Sequence, residues 1–355
     1  MDNKKSSKKR IAFAALRVLA FVLAFFLVIN ALSATYFAKD RTEKYSDTKY
    51  YYASVYKSEK QDSIQVGFFG NSDLYSGVIP LSLFYQYGIT STVCASPRQD
   101  VNDSYWYIKD FLSDQTPDVI VIESDMFFTG SAGDFYKKGT EKSSGLPSVP
   151  FFNDNSLDNY IESTFPIFRF HDRWKEYLKP IKSFYNSYMH GYYYNDKVYS
   201  NVKESSYMYE TDLAEPIATD YISYAKSVKS LCDSYGVELM FLEIATPASW
   251  SYARHNSVQA LADELDIPFL DLNFPYKDFE IDLENDYRDN GNHVNYYGAK
   301  KVSEYVGCFI KENYELEDLR ENPDYASWYE DIDKMYEEYN ISEKNRLTAA
   351  SVKDN

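Results

Sequence analysis

The sequence predicts a doubly wound α/β/α sandwich of about five parallel strands, with an inserted cap and a single N-terminal transmembrane helix. Three observations carry this. Short apolar runs alternate with helical stretches along most of the chain. The alternation breaks over residues 126–215. A long apolar run follows a basic tip at the N-terminus.

The tip holds Lys4, Lys5, Lys8, Lys9 and Arg10, and the apolar run extends from Ile11 to about Ala34, interrupted by Arg17 and Asn30. About 20 apolar residues in a helix cross a bilayer core of roughly 30 Å. Basic residues on one side place that side in the cytoplasm, so everything beyond about Thr35 is expected outside. Ala31-Leu32-Ser33 also fits a signal-peptidase site, but an uncleaved anchor is favoured, because Arg17 near the inner end can snorkel. The expected segments are a basic tip and signal anchor (1–34), a Tyr-rich stalk (35–62), the α/β domain (63–315) and terminal helices with a tail (316–355).

Within the domain, Ser63–Gly70 is a buried strand ending in glycine, and Pro80–Tyr87 a helix. Thr90–Ala95 is the second strand, and Tyr105, Ile108 and Leu112 recur at helical spacing within Asn102–Leu112. Pro117–Glu123 is a third strand. After the break come a helix over Thr219–Tyr235, a strand over Val237–Ile244, a helix over Ser257–Leu265, a short strand over Pro268–Leu272 and a closing helix over Gly298–Glu312. Residues 126–215 are too long and irregular for a plain connection and read as a cap over the strand C-termini. The cap contains the polar-aromatic group His171-Asp-Arg173-Trp174. Residues 316–341 predict one or two helices, and 342–355 a disordered tail.

The chain of 355 residues carries a net charge of −17, although its first ten residues contribute about +4. The exported part is therefore acidic, which disfavours nucleic-acid binding. Cys94, Cys232 and Cys308 are odd in number and show no metal spacing, and Cys94 and Cys308 read as small core residues. The 36 tyrosines suit stacking on sugar rings or ordinary core use.

Two segments could carry chemistry. Gly70-Asn-Ser72-Asp73 follows the first strand directly, where a serine hydroxyl can stand exposed at the sheet edge. Asp286-Tyr-Arg-Asp289-Asn-Gly-Asn-His293 precedes the last helix and offers a base with an orienting carboxylate. Serine needs such a base, and histidine titrates near the working pH.

Together these segments resemble the SGNH/GDSL hydrolase superfamily, an SGNH/flavodoxin-like fold with its serine block after the first strand and its Asp–His block before the last helix. The resemblance spans about residues 63–312. Ser72–Gly77 with Pro80, Tyr87-Gly88-Ile89, Gln99, Glu123, His171–Trp174, Pro247 with Trp250, and Gly291–Asn295 look like an exported Firmicutes branch related to DltD-type D-alanyl transfer proteins and alginate-type O-acetyltransferases. The resemblance implies acyl transfer or removal on a cell-surface polymer, teichoic acid or polysaccharide. It implies Ser72, His293 and Asp289 as catalytic residues, with Asp286 as a fallback acid. Ser96, Gln99, His171, Arg173 and Trp174 are candidates for oxyanion or substrate binding, with the backbone N–H groups of Ser72 and Ser96 as the expected oxyanion donors. A polytopic membrane acyltransferase is a candidate partner, and the chemistry needs no metal or other cofactor. The chain departs from the family in three places. Asp289 and His293 are separated by three residues instead of two, the second-block glycine is missing and leaves the Ser96 N–H as substitute, and Glu123-Ser124-Asp125 stands where the third-block asparagine belongs. The competing reading is a non-catalytic scaffold of a cell-envelope complex.

Overall fold

The computed structural model describes residues 2–37, 53–128, 161, 164–169, 171, 187–203 and 207–348. The chain divides into two units, Met1–Thr48 with Ser144–Tyr185, and Lys49–Ser143 with Asn186–Asn355.

The first unit is built on helix α1 (Asp2–Ala34). Its stretch Lys9–Ala34, 26 residues, is the one helix among the described residues long and apolar enough to cross a membrane. At 1.5 Å per residue it spans about 39 Å. Leu16, Leu19, Phe21, Leu23 and Leu27 are all exposed, unlike the side chains of a core helix. A helical turn over Pro166–Arg169 belongs to this unit. The Ile167 N–H donates to Ser33 Oγ at 3.4 Å, and Phe165 meets Phe26 edge to face.

The second unit holds the sheet. Strands β1 (Val66–Gly70), β2 (Ser91–Ala95), β3 (Val119–Glu123), β4 (Glu238–Glu243) and β5 (Phe269–Asp271) pair in the order β2-β1-β3-β4-β5, all parallel. Every residue of β1, β2 and β3 is buried, as near-continuous apolar strands require when helices cover both faces. Helices α2 (Ser72–Gly77) and α3 (Pro80–Tyr87) follow β1, and α4 (Val101–Asp114) follows β2. Later come α5 (Thr219–Tyr235), α6 (Tyr252–Leu265), α7 (Tyr296–Asn313) and α8 (Ser327–Glu338). Helix α4 packs beside α5 and α5 beside α6, while α3 packs against α7 and α8. Phe111 of α4 lies edge to face on Phe69 of β1, with ring centroids 5.5 Å apart. The chain reverses its winding between β1 and β3, so the crevice beyond their C-terminal ends is the natural place for a ligand in an open parallel sheet.

Three expectations need correction. Residues 53–62 are not a free stalk. Val55 and Tyr56 are buried, and the Tyr56 hydroxyl donates to Asp110 of α4. Part of the expected disordered tail is packed, since Leu347 is buried and Gln86 donates to the Thr348 carbonyl. Much of the expected cap, including 129–160 and 172–186, lies outside the described residues. Its described end, from Ser187, runs along the sheet edge instead, where the Val93 N–H donates to the His190 carbonyl at 2.8 Å. Cys94 and Cys232 are buried, whereas Cys308 is half-buried beside Glu312.

Candidate active site

Helix α2 begins at the residue after Asn71, whose side chain caps it by accepting the Asp73 N–H at 2.9 Å. Asn71 is held from both ends. Its own N–H donates to Glu123 Oε2 at 3.2 Å, and its Nδ2 donates to Asp125 Oδ2 at 2.9 Å. The end of β3 thus fixes the turn after β1. Gly70 permits this close approach, because a Cβ there would lie 2.7 Å from both Glu123 Cβ and Leu74 Cδ2. Ser72 emerges half-buried at the head of α2.

The second segment closes on it from the other side. Asn290 (φ 63°) and Gly291 (φ 81°) both adopt left-handed backbone, and this pair curls the chain so that His293 returns over Asp289. Asp289 Oδ1 accepts the His293 N–H at 2.7 Å, and Oδ2 faces His293 Nδ1 at 2.5 Å. The three-residue spacing is thereby accommodated. His293 Nε2 stands 2.8 Å from Ser72 Oγ. The ionised partner at Nδ1 assigns the proton there, leaving Nε2 to accept from the serine hydroxyl. Burial raises the Asp289 pKa, but the hydrogen bonds and charge of His293 outweigh it and hold the carboxyl below its usual value. The turn after β4 braces this loop, with the Ala248 N–H donating to the Gly291 carbonyl at 3.0 Å.

Structure brings Ser72, His293 and Asp289 together, and within the same unit Asp286, Ser96 and Gln99 are engaged elsewhere. Asp286 does not serve the histidine. Its carboxylate takes the Lys301 ammonium and the Asp282 N–H, each at 2.7 Å. The Ser96 N–H is not available as an oxyanion donor, because it donates to the Gly70 carbonyl at 3.3 Å. Gln99 is fully buried, spanning the Cys94 carbonyl (3.1 Å), Ser104 Oγ (2.9 Å) and Ser96 Oγ (2.9 Å), so it ties a turn instead of facing a substrate. His171 is exposed in the first unit, with Nδ1 3.0 Å from the Phe168 carbonyl, and Arg173 and Trp174 lie outside the described residues. Trp250 is buried with Nε1 donating to Asp271 at 2.9 Å.

Sequence reasoning left Asp73 and Arg288 without roles. Asp73 is buried, with Oδ1 3.6 Å from His293 Nε2. Arg288 donates to Ser76 Oγ at 2.8 Å and lies over the Tyr193 ring. Asp73, Glu123 and Asp125 offer oxygens within 4.8 Å of one another, the spacing a cation would need. The oxygens of Glu123 and Asp125 are already committed, however. Glu123 accepts the N–H groups of Asn71 and Asp125, and Asp125 pairs with Arg254 at 3.0 Å. The group is therefore a hydrogen-bond network that positions the Ser72 turn. Asn71 was legible as a helix cap; Asp73 carried no signal beyond its place after the serine.

No family model matches the chain, and no curated protein matches it in sequence. In structure it is similar to a Bacteroides fragilis protein described as an acylhydrolase, at 12% identity and a TM-score of 0.36, over 75% of this chain and 96% of that one. It is also similar to a GDSL-like lipase from Bacteroides thetaiotaomicron, at 12% identity and a TM-score of 0.34, over 74% of this chain and 97% of that one. A third is a lipase/acylhydrolase from Enterococcus faecalis, at 10% identity and a TM-score of 0.34, over 72% of this chain and 98% of that one. Likenesses of this size carry no weight for the chemistry of this chain, which rests on its own residues.

Proposed function

We propose that this chain is a membrane-tethered, extracytoplasmic serine acyltransferase or esterase acting on acyl groups of a cell-surface polymer. The observation that carries the reading is the continuous hydrogen-bond chain from Ser72 Oγ through His293 to Asp289, at 2.8 and 2.5 Å. Ser72 Oγ attacks an ester carbonyl as its proton passes to His293 Nε2. Asp289 holds the imidazole in the required tautomer and stabilises the imidazolium. The protonated imidazole then donates to the departing alkoxide, and the acyl-serine passes its acyl group to a polymer hydroxyl or to water. The apolar, uncovered helix α1 and its basic tip support a tether with the catalytic unit outside, which raises the local concentration of a membrane-proximal substrate. A polytopic membrane protein that delivers the acyl group is the matching partner, and the resemblance to DltD-type and alginate-type proteins supports a teichoic acid or polysaccharide acceptor.

A second reading, a non-catalytic scaffold, is favoured by one observation: the Ser96 N–H is spent on Gly70. Loss of an oxyanion donor lowers turnover by about 10²–10³. Full-length protein in detergent micelles, treated with a fluorophosphonate probe and with p-nitrophenyl acetate, separates the two. Labelling and turnover should both vanish in Ser72→Ala and His293→Ala. A folded wild-type protein that neither labels nor turns over ester would favour the scaffold, or a site completed only by its membrane partner.

A further inference from the structure

We propose that Asp73 enters the reaction as a neutral carboxylic acid whose O–H donates to the carbonyl oxygen of the acyl group attacked by Ser72. The proposal rests on the serine reading above and supplies the oxyanion donor that Ser96 cannot.

Position comes first. Asp73 follows the nucleophile directly, its side chain is buried, and Oδ1 lies 3.6 Å from the nitrogen that receives the serine proton. That separation exceeds a hydrogen bond, so the carboxyl sits beside the reacting atoms without being consumed by His293.

Three neighbouring donors are committed elsewhere. Asn71 Nδ2 serves Asp125, the Ser124 hydroxyl donates to Glu243 at 2.7 Å, and the Ser96 N–H serves Gly70. Arg288 has one nitrogen on Ser76 Oγ at 2.8 Å, while its Nη1 is buried without a partner among the described residues, so its charge stays beside the site as the counterweight to the carboxyls.

The proton has a reason to reside on Asp73. Three carboxylates crowd here, and burial and mutual repulsion favour retention of a proton among them. Glu123 accepts backbone N–H groups on both oxygens, at 3.2 Å each, which favours its ionised form. Asp125 faces the Arg254 guanidinium and the Asn71 amide, which does the same. Among the described residues the Asp73 carboxyl accepts no N–H bond, so it is the member best left protonated. Burial, Asp125 and Asp289 push its pKa well up, and Arg288 opposes them without prevailing. Tyr287, buried nearby, stays neutral because burial, with Asp286 beside it, raises its own pKa. A carboxylic acid kept neutral by an apolar site so that it can donate to an oxyanion has precedent in other enzymes.

The step balances without further reactants. The Ser72 Oγ–carbon bond forms as His293 Nε2 takes the serine proton, and the carbonyl π pair moves onto oxygen, where the Asp73 O–H donates a hydrogen bond. As the carbonyl re-forms, the C–O bond to the leaving group breaks and His293 returns the proton to the departing oxygen. Asp73 keeps its proton throughout.

The experiment uses full-length protein in detergent micelles and reads kcat/KM for p-nitrophenyl acetate across pH 5 to 10. A group that works protonated gives a rate present at low pH and lost as pH rises through its folded pKa, so wild type should show an alkaline limb. Asp73→Asn keeps an N–H donor that does not titrate; it should stay within about tenfold of wild type and lack that limb. Asp73→Ala should fall by about 10²–10³. Folded Asp73→Asn that retains the limb, or falls as far as Asp73→Ala, overturns the proposal, as does Asp73→Ala with wild-type turnover. Wild-type turnover that survives Ser72→Ala would instead remove the parent reading, and Asp73 with it.

Discussion

Asp289→Asn isolates the charge at the site from its geometry. Asparagine keeps an oxygen to accept the His293 N–H, now bonded to Asp289 Oδ1 at 2.7 Å, so the loop should hold. What disappears is the negative charge opposite Nδ1. Two unit charges about 4 Å apart attract by roughly 4 kcal/mol at an effective dielectric near 20. The Asp289 side chain is 40% exposed, so solvent screens part of this, and about half, near 2 kcal/mol, is a reasonable share. That corresponds to about 30-fold. The amide also opposes the required tautomer, which in a buried triad brings the total loss to about 10⁴. For this half-open site the expected loss is about 10²–10³ in kcat, with KM for p-nitrophenyl acetate little changed. A folded Asp289→Asn variant within threefold of wild type, beside an inactive Ser72→Ala, would show that Asp289 does not orient the base.

Two further perturbations probe the frame. Gly70→Ala forces a Cβ to within 2.7 Å of Glu123 Cβ and 2.9 Å of Leu74 Cβ, atoms too close to the backbone to swing aside. Overpacking of this kind costs about 1–3 kcal/mol, readable in urea unfolding, and a shift of the Ser72 turn by about 1 Å should reduce turnover by around 10²; wild-type stability would contradict the close approach. His190 lies buried on the Trp328 ring, with Glu59 at 2.9 Å and Asp331 at 3.5 Å. Burial alone would lower its pKa, but the two carboxylates hold it up at about 9. Because the folded pKa lies above the unfolded one, this stability is complete below about 6.5 and lost as pH rises through about 9. The gap is worth on the order of 3 kcal/mol, so unfolding free energies at pH 6 and pH 9.5 should differ by about that much in wild type and far less in His190→Phe.

The strands were legible because burial on both faces writes itself as an unbroken apolar run, as in Val119–Glu123. Their order was not, since it depends on which runs meet in space. Ser96 shows how this matters. Register pairs Gly70 with Ala95, so the next N–H along β2 extends the ladder onto the Gly70 carbonyl. Nothing local in Ala95-Ser96-Pro97 reveals that. Asn290-Gly291 was readable as a turn, but that both residues would be left-handed, folding His293 onto Asp289 despite the added residue, required the structure. Val55 and Tyr56 misled in the opposite direction, as two apolar residues in a polar Tyr-rich stretch carry no periodicity from which burial could be inferred.

A single device recurs along the C-terminal edge of the sheet and accounts for the division of labour among its acids. Strands β3, β4 and β5 end in Glu123, Glu243 and Asp271, each of which gathers donors from the turns beyond. Glu123 takes the Asn71 and Asp125 N–H groups, Glu243 the Ser124 and Thr246 hydroxyls, and Asp271 the Asn273 N–H with Trp250 Nε1 and His255 Nδ1. Burying carboxyls so close together penalises ionisation, and burial with mutual repulsion raises the pKa values of Glu123 and Glu243 well above the usual range. Asp289 belongs to a loop at the rim, where solvent and His293 keep it ionised. Burial thus penalises charge on Glu123 and Glu243, while Asp289 at the rim stays ionised, and Ser72 opens between the two. On the proposed reading, a serine activated by an ionised acid through histidine, beside an acid whose buried neighbours favour its protonated form, follows from where each residue sits relative to the strand ends.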